Sequence, residues 1–367
     1  MNSLFGYSAV DTVCQKWRED VYLPKIETVS QRAREEKNWI LECQGKKGEI
    51  YLSGGSSVNP YFACLAVQGL LSGEVREEDL AAAQAYLDWH CRKFLDWDGE
   101  VPDFEIKGGR ETTKEPDSVD AYVAVFLSLL CRKAELTGSL SAREVQAVRL
   151  GLKKLEELTT DGLTVVRKGD GRAYYMDNLE VLAAYQDLQQ AAGQVKELTD
   201  LGKTAEARAR STADAIQTYL WNEEEQRYEV GIQTDGRVME ADVSNEFYPG
   251  GVIQVYGAAW GVPLSDWERA RMLYKRFCRD FPWEDMKQGT FYWSELALAA
   301  AELGDLERAE KYLETYRTLV EDSRSWPLHV GTAGWMASAC GRMEEIYRER
   351  LEGGPVGETP DFPKEGK

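Results

Sequence analysis

The chain has 367 residues, 63 acidic side chains against 44 basic ones, and a net charge of −19. A phosphate backbone demands a basic face, so this balance excludes nucleic acid as an expected partner. Eleven Trp, 18 Tyr and an apolar fraction of 43% suffice for one large core. No uncharged apolar run reaches the roughly 18 residues of a membrane span.

Met1 to Tyr7 carries neither a basic segment nor a long apolar run, so no secretory signal is read there. The cysteines are Cys14, Cys43, Cys64, Cys91, Cys131, Cys278 and Cys340. They are odd in number, widely spaced and mostly set in apolar helical patterns. Neither a disulfide framework nor a zinc site follows; buried free thiols in a reducing cytosol do, and hence a cytoplasmic protein.

From about Ala9 to Cys43, Trp17, Val21, Ile26, Val29, Trp39 and Ile40 interleave with charges as on an amphipathic helix, with a break or kink expected at Pro24. A glycine-serine loop follows and ends in Asn59-Pro60, a cap and a first helical residue, opening an apolar helix from Phe62 to Leu71. A charged helix from about Glu77 to Phe94 lines Leu80, Ala83, Leu87 and Cys91 along one side. After a long polar loop, Pro116-Asp117-Ser118-Val119-Asp120-Ala121-Tyr122 opens a second apolar helix. Its two aspartates, three apart, share a face.

The pattern recurs. Ser141 to Leu158 is amphipathic. Gly162 to Tyr175 reads as two short strands around Lys168-Gly169-Asp170-Gly171, and Met176-Asp177-Asn178-Leu179-Glu180 starts the next apolar helix. Val195 to Trp221 is amphipathic, and Tyr228 to Ile232 with Val238-Met239 flank Asp235-Gly236 as a hairpin. Ser244 to Gly251 opens a buried helix to Trp260. Ser265 to Cys278 is charged, Tyr292-Trp293-Ser294-Glu295 opens a small-residue helix through Ala301, and Asp305 to Val320 is charged again. His329 to Trp335 leads into the last helix, to about Tyr347. The tail from Gly353 is expected to be disordered.

Six helix pairs result. The loops before the apolar helices are long, aromatic and irregular, whereas the opposite connections are short. One elaborated end is what a barrel with a site at one mouth needs. The expected fold is therefore all-α, a single (α/α)6 barrel over residues 1–352 with short β-hairpins in the rim loops.

Three pieces, Asn59-Pro60-Tyr61-Phe62-Ala63, Asp117-Ser118-Val119-Asp120-Ala121-Tyr122 and Tyr175-Met176-Asp177-Asn178, resemble the six-hairpin glycosidase superfamily. The likeness extends along nearly the full chain and is nearest to uncharacterised bacterial members. It implies a toroid that handles carbohydrate. A more distant likeness is to glycoside hydrolase family eight, whose Asp-rich inner-helix start matches Asp117 and Asp120. That family also places a catalytic Glu on the preceding inner helix; the matching stretch here, Gly55 to Pro60, has no carboxylate, so that acid is not carried over.

Glycoside hydrolysis needs two carboxyl groups flanking the bond, one a general acid and the other a base or nucleophile. The rim offers Asp103, Glu105, Asp117, Asp120, Asp177, Glu180, Glu246 and Glu295. A pair from different inner helices suits a cleft, so Asp120 with Asp177 is the expected pair, with Asp117 and Glu246 as alternates. Capping is the competing role, because Asp117-x-x-Asp120 and Asp177-x-x-Glu180 resemble the boxes Ser141-x-x-Glu144 and Ser265-x-x-Glu268 on outer helices. Asp120 lies in an otherwise apolar helix and should have a raised pKa or a partner. Asn59, Tyr61, Tyr122, Tyr175, Asn178, Tyr248, Trp293, Trp335 and His329 are the expected substrate-binding residues, the aromatic ones as faces for sugar rings. Two histidines without clustered ligands predict no metal, and the absence of a phosphate loop predicts no cofactor. The reading is a glycoside hydrolase acting on an oligo- or polysaccharide. A sugar epimerase or isomerase on the same fold, or a non-catalytic glycan-binding barrel, is the alternative.

Overall fold

The computed structural model describes residues 5–116, 118–286 and 291–353. Twelve α-helices form among them: α1 Phe5–Glu42, α2 Pro60–Leu70, α3 Glu77–Asp96, α4 Val119–Thr137, α5 Ala142–Leu158, α6 Tyr175–Gln194, α7 Gly202–Tyr219, α8 Ile253–Ala259, α9 Trp267–Asp280, α10 Glu295–Leu303, α11 Leu306–Asp322 and α12 Val330–Leu351. Two kinds alternate. α4 buries every residue from Val119 to Cys131, whereas α9 buries Ala270, Leu273, Tyr274, Phe277 and Cys278, the spacing of a single face. A helix apolar all round must be covered on every side, and a one-faced helix can do the covering. The even-numbered helices therefore form the inner ring and the odd-numbered ones sheathe it.

The ring closes. α2 packs on α4, α4 on α6, α6 on α8, α8 on α10, α10 on α12, and α12 returns to α2. At the α2–α12 seam the two backbones touch through glycine. A methyl added at Gly69 would stand 2.4 Å from the Gly334 Cα, and one at Gly334 would stand 2.3 Å from the Leu65 carbonyl. α1 lies along α12, so the first helix covers the seam made by the last.

α1 runs through Pro24 as one helix, so of the break or kink expected there the break does not occur. Tyr22 stacks on Tyr347 of α12 at 6.1 Å, and Ile26 and Val29 are buried, so packing holds the helix on both sides of the proline. That burial outweighs the one hydrogen bond a proline removes.

The connections into the inner helices carry the strands. Phe104–Lys107 pairs antiparallel with Arg110–Thr113 and with Ser57–Val58. Gly231–Ile232 pairs with Val238–Met239, the hairpin expected around Gly236, and also with Ala173–Tyr174. The expected hairpin around Lys168-Gly169 is different: Arg167 and Asp170 make a single bridge, and Ala173–Tyr174 takes its partner from the next rim loop. The three-stranded sheet thus ties the entry to α6 to the loop before α8. At the opposite end the turns are short, Gly138 to Ser141 and Gly304-Asp305, and both glycines adopt positive φ. All seven cysteines are free; Cys14 is exposed and the other six are buried. Among the described residues no helix is long and apolar enough to cross a membrane. The tail beyond residue 353 lies outside the described residues.

Candidate active site

A cavity of about 580 Å³ opens at the elaborated mouth, and the entry of every inner helix contributes to its wall. α2 supplies Tyr61 and Phe62, α4 Ser118 and Tyr122, and α6 Asp177 and Glu180. α8 supplies Tyr256, α10 Trp293 and Glu295, and α12 His329 and Trp335.

One wall concentrates carboxyl groups. Glu180 Oε1 accepts from the Tyr61 hydroxyl at 2.6 Å and the Tyr256 hydroxyl at 2.5 Å. Oε2 is buried and has no hydrogen-bond partner among the described residues. Burial, then the charge of Asp177, pushes this carboxyl well above the usual range, against the pull of the two hydroxyls. Asp120 is fully buried and accepts from Thr164 Oγ1 at 2.8 Å, Ser118 Oγ at 2.9 Å and its neighbour's Ala121 N–H at 2.9 Å. Burial raises it despite these bonds. Ser118 Oγ also lies 2.7 Å from Asp177 Oδ2. A hydroxyl has one proton and cannot donate to two carboxylates at once. Ser118 therefore gives its proton to Asp120 or to Asp177, and its hydroxyl links the two acids.

Glu295, the first residue of α10, is also buried in the wall. Burial pushes its carboxyl up to about 8. The Tyr256 hydroxyl feels the charges of both Glu180 and Glu295, so α8 stands between the two acids.

α6 starts at Tyr175 behind Tyr174, which makes no side-chain cap bond; Asp177 lies in its first turn and Glu180 in its second. On the outer layer the box Ser141–Glu144 does form, with Ser141 N–H donating to Glu144 at 2.6 Å. The other expected box shifts by one: Asp266 caps α9 by accepting from Arg269 N–H at 2.7 Å.

The remaining expected residues divide. Asn59 caps α2 through Phe62 N–H at 2.9 Å and gives its amide to Asp103 at 3.0 Å; both line the cavity. Tyr122 lines it while its hydroxyl meets His90 Nε2 at 2.7 Å. Half-exposed Tyr248 lies 4.5 Å from the Trp293 ring, and Trp335 meets Trp260 edge-on at 5.0 Å. His329 Nδ1 accepts from Thr332 N–H at 3.3 Å, capping α12, and burial lowers the ring to about 4, so it is neutral at pH 7. Tyr175 and Asn178 do not line the cavity. Tyr175 stacks on Tyr228 at 4.7 Å, and Asn178 braces the entry loop through Thr164 N–H at 2.8 Å and the Tyr174 carbonyl at 2.9 Å. Asp120 sits behind the lining rather than in it, Glu246 is exposed outside it, and Asp117 lies outside the described residues.

Glu180 and Glu295 stand among the rim acids of the sequence but were not singled out by it. The signal for Glu180 was the i, i+3 spacing that puts it on the face of Asp177. For Glu295 it was the preceding Tyr292-Trp293. Among the described residues no group of three or more His, Cys, Asp or Glu is arranged to hold a metal ion.

No family model matches the chain, and no curated protein does. Solved structures do. The GH76A alpha-1,6-mannanase from Salegentibacter sp. HEL1_6 superposes with a TM-score of 0.58 at 11% identity, over 88% of this chain and 99% of that one. D-mannose isomerase gives 0.56 at 13% identity over 88% and 97%. An uncharacterized conserved protein from Thermus thermophilus gives 0.58 at 12% over 84% and 99%. Identities this low speak to architecture alone, and that architecture is an (α/α)6 toroid.

Proposed function

We propose that the protein is a glycoside hydrolase acting on an oligo- or polysaccharide at the barrel mouth. The observation that carries this reading is that two carboxyl groups from different inner helices, Glu295 and Asp177, line one cavity in different surroundings. Glu295, with its carboxyl near 8, holds a proton at neutral pH. Asp177, on the other side of α8, is linked by a serine hydroxyl to the buried Asp120. Environments that push carboxyl groups apart are how one site supplies both an acid and a base. In this scheme Glu295 protonates the glycosidic oxygen. Asp177 activates water or attacks the anomeric carbon, and Asp120 positions it through Ser118. Tyr248, Trp293 and Trp335 offer ring faces to the sugar and exclude water.

An inactive variant of the mannanase, with two consecutive aspartates replaced, was solved in complex with alpha-1,6-mannotetrose. This favours an oligosaccharide as ligand for the same fold. The present sequence contains no Asp-Asp pair, so its acids must come from separate positions. The isomerase alternative draws support from the mannose isomerase likeness, but His329 is the one histidine in the lining and uses Nδ1 as a helix cap. The hydrolase reading is therefore preferred.

The test is a glycan panel that includes alpha-1,6-linked mannooligosaccharides, assayed for binding by calorimetry and for reducing-end release. Release by the wild type, with binding but no release in Glu295→Gln and Asp177→Asn, supports the assignment. Binding without release by the wild type would replace it with a glycan-binding barrel, and isomerised sugar with an isomerase.

A further inference from the structure

Glu180 has no step in that scheme, yet it is the most enclosed carboxyl of the cavity wall, at 2% exposure. Two tyrosine hydroxyls meet the same oxygen. Tyr61 and Tyr256 lie 2.6 and 2.5 Å from Oε1 but 3.5 Å from each other. Each has one O–H to give. If the acid proton sat on Oε1, one of these tyrosines would have to accept it, and its own O–H would be left with only the 3.5 Å contact to the other tyrosine, too long for a good O–H···O bond. The tyrosines therefore both donate, and any proton on Glu180 is on Oε2. That oxygen has no partner among the described residues, and Glu180 lines the cavity.

The groups acting on Glu180 from its surroundings are Tyr61 from α2, Asp120 from α4, Asp177 from its own helix and Tyr256 from α8. None of these is a cation. An ionised Glu180 would place a second negative charge beside Asp177 with half of it unsolvated, which low-dielectric surroundings penalise heavily.

We infer that Glu180 is a neutral carboxylic acid whose Oε2–H is the hydrogen-bond donor of the cavity floor, recognising a hydroxyl or ring oxygen of a bound sugar. It is a binding residue, distinct from the acid and the base of the reaction. A fixed donor selects an acceptor. It fits a sugar unit with an oxygen at that position, and it discriminates against one deoxygenated there, which offers no acceptor, and against one bearing an ammonium there, which offers only donors. The proton stays in place because its loss would leave the buried anion described above. The sugar as ligand rests on the hydrolase reading; the protonation state does not.

Glu180→Gln is the decisive variant, because the amide copies the neutral acid: its oxygen accepts from both tyrosines and its NH2 donates toward the cavity. The first measurement needs no ligand. An infrared difference spectrum at pH 7, wild type minus Glu180→Gln, is expected to contain a protonated carboxyl C=O band; carboxylate bands alone would overturn the proposal. The second uses whichever panel glycan the wild type binds. Glu180→Ala is expected to bind about 10- to 100-fold more weakly than wild type, as loss of a buried donor predicts, and Glu180→Gln, which restores a neutral donor, to recover most of that loss. A hundredfold loss of release in Glu180→Gln would overturn the proposal by showing that Glu180 transfers its proton or acts ionised. If no glycan binds, the hydrolase reading fails while the infrared result still decides the state of Glu180.

Discussion

The two ends of the barrel use the same residue type in opposite ways. At the plain end, carboxylates start the outer helices and are matched with backbone N–H groups and cations. Glu144 closes a capping box and pairs with the buried Lys133 at 3.0 Å; Asp79 pairs with Arg76 at 2.6 Å; Asp305 caps α11 and pairs with Arg308 at 2.9 Å. Glu144 and Asp266 are held below the usual carboxylate range. At the mouth, Asp120, Glu180 and Glu295 occupy the first turns of inner helices, meet hydroxyls and apolar walls, and are all held above it. Charge that stabilises the fold lies at one end, and carboxyl groups that burial makes harder to ionise lie at the other. What separates the two sets is the company each acid keeps.

The largest expected effect breaks the comparison at the mouth. Glu295→Gln should lower glycan release by about 10²- to 10⁴-fold, the contribution of a general acid, with binding kept. Glu144→Gln at the plain end should leave release unchanged in the same assay. If the two variants behaved alike, the functional division between the ends would fail.

The second effect is on pH. Glu295 titrates near 8 when folded against an ordinary 4.5. Between those values the folded state keeps a proton that the unfolded chain has released, so stability falls as pH rises across that window and levels off above it. The cost reaches about 5 kcal/mol at most by linkage. Chemical denaturation of the wild type from pH 5 to 9 should show this decline, and Glu295→Gln should flatten it. Release should also fall above about pH 8 as the acid form disappears. Glu144 contributes with the opposite sign: its stabilisation is present above its ordinary pKa and lost in acid.

Next in size, Glu144→Gln should destabilise the protein by about 3 kcal/mol, because it strips a buried lysine of its partner and weakens the cap. A urea midpoint at neutral pH measures this. Glu295→Gln, by contrast, should unfold at or above the wild-type midpoint. The smallest effect sharpens the mouth itself. Trp293→Ala removes the ring on which Tyr248 leans and should weaken oligosaccharide binding about 2- to 10-fold, by calorimetry, without moving the urea midpoint by more than about 1 kcal/mol.

The fold was legible because two periodicities alternate along the chain. Near-continuous apolar runs at Val119–Cys131 and one-sided patterns such as Leu273–Phe277 cannot exchange places in a ring. The loop lengths then show which end is elaborated. Pro24 does not end α1, because a local breaker is overridden when both flanks are packed on α12. The strand at Ala173–Tyr174 misled because its partner comes from a loop nearly sixty residues on. The site was legible as a set of rim acids and aromatics, and the burial expected of Asp120 is present. Which acid faces the cavity was not legible. Asp120 and Glu180 share the first turn and a half of neighbouring helices, and only the direction of each helix around the ring turns Glu180 inward and leaves Asp120 behind Ser118.

The seam at Gly69 and Gly334 has a consequence for the order of assembly. The ring's first inner helix finds one of its two neighbours only when residues 330–351 are available, and α1 lies mainly against that same last helix. During synthesis the N-terminal hairpin must wait, one flank uncovered, for nearly the whole chain to emerge. The contacts that complete the toroid are the most distant in sequence, and their loop-closure entropy is the largest in the molecule. Closure of the circle is thus expected as the last folding event, and the cavity, to which α2 and α12 both contribute, takes shape only then.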